Sequence, residues 1–231
     1  MIKKMFEDDR YNDNDPPAKR VRTVAHKLIT SNQDLGNVGD WEIHVIKNEN
    51  RNAFVLPSGH IFVFSGLLKV ANNENQLAIV LGHEMSHAVL DHGAESMSMR
   101  NFTDDIFIVC LFFIWCMSPS YLKGVALSWF CHSLFDFLLK PLSRMQETEA
   151  DKVGMMFASR ACYDYREGAV FWEKIAKIES ALENFTIPEW LGTHPDSSKR
   201  AKQMNSLEDK AVDWRKENAL CVPAHVKEVK K

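Results

Sequence analysis

The chain has 231 residues, with 28 Lys+Arg against 31 Asp+Glu and a formal net charge of -3, so it can build one domain with a real hydrophobic core but not two large ones. That balance gives no field to draw in polyanions, and nucleic acid is excluded as a partner. Five cysteines (Cys110, Cys116, Cys131, Cys162, Cys221) form an odd set without a C-x-x-C pair, which points to a reduced compartment and no disulfide framework.

Residues 1–17 read as a polar lead-in. Its acidic residues, Glu7, Asp8, Asp9, Asp13 and Asp15, leave neither a signal-peptide core nor a mitochondrial presequence visible, so the chain carries no readable address. Val21, Val24, Ala25, Leu28 and Ile29 then recur at helical spacing. Residues 41–46 alternate like a strand, and 53–56 and 61–64 bracket Pro57-Ser58-Gly59 as a hairpin, predicting a small antiparallel sheet. Asn72 or Asn73 is suited to cap a helix with Glu74 and Gln76 in its first turn, running to about Gly93.

Residues 106–139 are of another kind. Ile106 to Leu122 are 17 uncharged residues and Gly124 to Phe135 a second apolar piece, with Ser118-Pro119-Ser120 between them, predicting a hydrophobic helical hairpin. As a helix the first piece reaches about 26 Å, just under the roughly 30 Å of a bilayer core. Its aromatic residues crowd nearly every face, which favours membrane contact over the alternative, a buried hairpin in a soluble core. Helices are expected again over 144–161, 165–182 and 197–207, and a polar lysine-rich tail over 210–231, so the main domain spans 18–209.

The chemistry sits in His83-Glu84-Met85-Ser86-His87. Histidines at i and i+4 share one helix face and can both reach a single Zn2+ through imidazole nitrogens. The carboxylate between them, Glu84, can act as general base for a water that zinc activates, which is the chemistry of peptide hydrolysis. A third ligand is needed. His92 is one residue short of the spacing that would make it that ligand, and reads as a supporting or helix-end residue. Glu147 and Asp151, at i and i+4 in Glu147-Thr148-Glu149-Ala150-Asp151, can supply a third ligand and a hydrogen-bond acceptor that fixes a ligand imidazole. The competing reading makes this acidic run a charged first turn facing a helix dipole.

Asn52-Ala53-Phe54, Leu56-Pro57-x-Gly59, the Ile61-to-Leu68 stretch, Gly82-His83-Glu84-x-x-His87, Glu147-x-x-Ala150-Asp151, Thr193-His194-Pro195 and Arg200 together resemble zinc metallopeptidases of the HtpX and CAAX prenyl protease type. Within that group they are most like the mitochondrial inner-membrane branch, and the likeness runs from about Asp15 to about Leu207. The resemblance implies an α+β, mainly helical, zincin-like catalytic domain with an inserted hydrophobic hairpin. It implies one Zn2+ per chain on His83, His87 and Glu147, with Glu84 and His194 catalytic and Asp151, His92 and Arg200 behind them. Arg200 would orient His194 or bind substrate. The Ile61, Phe62, Val63, Phe64 strand would be the edge that an extended substrate joins. The expected activity is a zinc metalloendopeptidase acting on membrane-associated or misfolded proteins at the mitochondrial inner membrane, touching the membrane through 106–139, with a homo-oligomer left open. The alternatives are a catalytically silent zinc-binding homologue with a regulatory role and a soluble zinc exopeptidase.

Overall fold

The structure, a computed structural model, describes residues 9–32, 38, 40–117, 120–181, 197–218 and 221. Two compact units emerge, one from Met1–Leu90 with Thr148–Lys231 and one from Asp91–Glu147.

In the first unit, helix α1 (Pro16–Ser31) starts with proline at its first positions, where a missing N–H costs nothing. Its periodic residues Val21, Val24, Ala25 and Leu28 are all buried. Strands β1 (Glu42–Ile46), β2 (Ala53–Val55) and β3 (His60–Phe64) form a three-stranded sheet in the order β1-β3-β2. The hairpin turn falls where it is predicted, with Gly59 at φ 84°, a conformation glycine adopts freely. The sheet is mixed and not antiparallel throughout: β2 pairs antiparallel with β3, but β1 pairs parallel on the far side. The connection after β1 crosses over instead of making a hairpin, a choice that alternation alone does not encode. Residues 9–11 reach β1 as well, with the Tyr11 N–H donating to the Val45 carbonyl at 2.9 Å.

The short helix α2 (Ser65–Leu68) leads to α3 (Glu74–Val89). The helix stops short of Gly93 because Asp91 turns the chain at φ 54°. Further on lie α6 (Glu167–Ala181), α7 (Ser197–Ser206) and α8 (Glu208–Glu217). Residue 210, where the sequence suggests a polar tail, is inside α8. That helix buries Ala211, and its Arg215 donates to the Tyr163 carbonyl at 2.8 Å. The core joins α1, α3 and α6 to one sheet face, with Phe171 and Trp172 fully enclosed.

Cys162 and Cys221 form a disulfide, with Cα atoms 5.1 Å apart, which corrects the expectation of a chain without disulfides. The argument for a reduced compartment loses its basis with it. An odd cysteine count hid the pair because Cys110, Cys116 and Cys131 remain thiols.

The second unit is a pair of antiparallel helices, α4 (His92–Met117) and the first part of α5 (Tyr121–Arg160). Gln146 bonds Ser96 and Glu95, Phe107 meets His132, and Trp115 meets Tyr121. The hairpin is therefore where it is predicted, but its apolar residues are not buried: Phe112, Phe113, Met117, Leu122, Trp129 and Phe130 all stand exposed. Among the described residues no helix is long and apolar enough to cross a membrane.

Candidate metal centre

Helix α3 is capped by Asn73, whose side chain accepts the Gln76 N–H at 2.9 Å. Every residue from Gln76 to Ser86 is buried, so the helix runs through the core with no wet face over that stretch. The i, i+4 spacing brings the Nε2 atoms of His83 and His87 to 3.2 Å, with the rings edge to face.

Helix α5 crosses α3 at two glycines. A Cβ on Gly154 would lie 2.5 Å from the His83 nitrogen and 2.8 Å from the Gly82 carbonyl carbon, and one on Gly82 would lie 2.6 Å from the Gly154 oxygen. All of these are backbone atoms that cannot swing aside. Ser86 Oγ tightens the crossing, 3.0 Å from the Ala150 carbonyl. Gly154→Ala should therefore lower the unfolding free energy by about 1–3 kcal/mol, although alanine is the better helix former by roughly 1 kcal/mol. A melting temperature at or above wild type would show that the helices can part at no cost.

The crossing places the acidic run of α5 against the histidines. His83, His87 and Glu147 each offer a ligand atom, and these atoms all lie within 4.8 Å of one another. Glu147 is buried whereas Glu149 is exposed. The dipole reading of this run fails, since Glu147 lies deep inside a 40-residue helix and not in its first turn. Asp151 Oδ1 is 3.1 Å from His83 Nδ1. From α7, Arg200 donates through Nε to Asp151 Oδ2 at 2.9 Å and through Nη2 to Oδ1, while its guanidinium lies over Trp172, 3.5 Å from the ring centre.

Burial by itself would push the Asp151 carboxyl up, but the Arg200 charge and the hydrogen bonds from His83 and Arg200 outweigh it and hold the group below the ordinary carboxylate range. In the tautomer with its proton on Nδ1, His83 donates a hydrogen bond to the ionised Asp151 and keeps the Nε2 lone pair for a metal. Two imidazole nitrogens and a carboxylate, converging with one imidazole held in its ligand tautomer, are a donor set that fits a zinc-type divalent ion.

Arg200 Nη2 also lies 2.8 Å from His83 Nδ1. Arg200 is thus buried between Asp151 and the Trp172 ring, beside His83. Glu84 is buried between the two histidines in sequence. His92 is buried at the start of α4, its carbonyl 3.4 Å from Gln146 Nε2. His194 lies outside the described residues.

Ile61, Phe62, Val63 and Phe64 do not form an edge. Strand β3 is central, paired with β1 on one side and β2 on the other, so no peptide can be added along it, and all four residues are buried. Sequence reasoning missed Gly154, Ser86 and Trp172, and a lone glycine in a helical pattern was the signal available for the first.

The description "Peptidase family M48" matches residues 16–208. The chain is similar to the protein named metalloendopeptidase OMA1, mitochondrial, of Bos taurus, at 38% identity over 94% of this chain and 42% of that one. It is similar to the mitochondrial metalloendopeptidase OMA1 of Saccharomyces cerevisiae at 35% over 83% of this chain and 54% of that one. A more remote relative is the beta-barrel assembly-enhancing protease of Escherichia coli, at 28% over 84% of this chain and 41% of that one. The chain spans about half the length of these relatives.

Proposed function

The chain belongs to peptidase family M48, and from that footing we propose that it is a zinc metalloendopeptidase that hydrolyses membrane-associated or misfolded proteins at the mitochondrial inner membrane. The observation that carries the reading is the convergence of His83, His87 and Glu147, with Glu84 buried next to His83 in the sequence. Zinc bound by these three residues would supply the Lewis acidity that activates water and polarises the scissile carbonyl. The Glu84 carboxylate takes the proton from the attacking water and passes it to the leaving amine. Asp151, kept ionised by Arg200, holds His83 in the tautomer that turns Nε2 to the metal. On the resemblance of Thr193-His194-Pro195 to the family pattern, His194 is assigned to donate to the developing oxyanion.

With β3 closed on both sides, the strand available to an extended substrate is β2 (Ala53–Val55), which has β3 as its one neighbour among the described residues and packs beside α3. Main-chain pairing there gives affinity with modest side-chain selectivity. Membrane contact through 106–139 is supported by the apolar side chains that the second unit exposes, of a kind that soluble surfaces rarely gather. The mitochondrial assignment rests on the relatives' names.

Purified protein incubated with unfolded casein should release peptides, 1,10-phenanthroline should stop the release, and added Zn2+ should restore it. A zinc-loaded, folded chain that leaves casein intact would overturn the proposal.

A further inference from the structure

The pleat of β1 and β3 sends Val45, Ile61 and Val63 into the main core and turns Ile46, Phe62 and Phe64 to the opposite face. Glu42, His44 and His60 share that opposite face by period and register, since Glu42 pairs with His60 and His44 with Phe62. His44 Nε2 lies 3.2 Å from His60 Nδ1, and Glu42 Oε2 lies 3.5 Å from His60 Nδ1 and 3.7 Å from His44 Nε2.

The His44–His60 contact sits at the long end of the hydrogen-bond range, and the two contacts to Glu42 lie beyond it. They match the edges of a metal polyhedron. With bonds of about 2.0–2.1 Å, ligand atoms of a tetrahedral zinc site stand about 3.3–3.4 Å apart. The circle through these three atoms has a radius of about 2.0 Å, so an ion roughly 0.6 Å off their plane would meet all three at about 2.1 Å. His44 is buried against the Phe62 ring, 4.7 Å between centroids, while the Glu42 side chain is 47% exposed. One side of the cluster is thus dry and fixed, and the other opens to water that can complete the coordination.

We propose that Glu42, His44 and His60 form a second site for a divalent transition metal, of which Zn2+ is the representative, separate from the His83, His87 and Glu147 centre. Its donors come from two strands and none from α3 or α5. A cation held there ties β1 to β3 across their parallel pairing, the less stable kind of strand pair. The inference rests on the sheet alone and does not require peptidase activity.

The test is the zinc content of the whole chain after equilibration with micromolar Zn2+ and removal of loose metal. Wild type should hold two equivalents, and His60→Ala and His87→Ala one each. The pair combined should hold none. Because His60 is partly buried, Glu42→Gln serves as a second variant with little risk to folding, and it too should hold one equivalent. One equivalent in wild type, lost in His87→Ala, would overturn the second site and identify the cluster as hydrogen-bonded only. Two equivalents surviving both His60→Ala and Glu42→Gln would overturn it as well.

Discussion

Replacing Arg200 with leucine should lower the unfolding free energy by about 3–5 kcal/mol, because it strips the partner from a charge with no access to water. Asp151 is 0% and Arg200 3% exposed, so neither side chain can turn to solvent when the other is removed. For a chain of this size the loss corresponds to a fall in melting temperature of roughly 6–20 °C. Asp151→Asn introduced with Arg200→Leu removes the stranded charge, so the double variant should be less destabilised than the sum of the single changes. Calorimetry of the four proteins measures both effects. A single variant melting within a degree of wild type would mean that Asp151 is not held as an anion.

Glu84→Gln should act on a different quantity. It keeps the size and burial of the side chain but removes the base, so peptide release should fall about 10²–10⁴-fold, the usual range for a positioned general base. Zinc content and melting temperature should not move, since Glu84 is absent from the ligand group. Cleavage that persists in the glutamine variant would assign the proton transfer to another residue. Loss of zinc along with activity would make Glu84 a ligand.

Much of the site could be read from the sequence because its parts are local. Two histidines four apart need only a helix to face the same way, and Asn73 marks where that helix starts. Glu147 and Asp151 obey the same rule on α5, and their match to a known pattern linked them to the histidines before any distance did. What could not be read depends on pairing between distant segments. Alternation identifies the strands but not their order, and so does not reveal that both sides of β3 are occupied. The Cys162–Cys221 bridge joins residues 59 apart and leaves no spacing signature. The approach of Gly82 to Gly154 exists only where two helices cross, and along either helix alone each glycine looks like a small loss of helix propensity. The break between Lys140 and Arg144, suggested by the end of an apolar run, is absent because one helix carries the chain from Tyr121 to Arg160. Hydrophobicity changes along that helix while its backbone does not.

The zinc content of Glu147→Gln and Glu149→Gln tests whether Glu147 of α5 closes the proposed zinc centre. The two carboxylates are neighbours in sequence, but one is buried with the histidines and the other exposed. Glu147→Gln should lose the same zinc equivalent as His87→Ala, and Glu149→Gln should keep it. Retention by Glu147→Gln with loss in Glu149→Gln would make Glu149 the third ligand in place of Glu147.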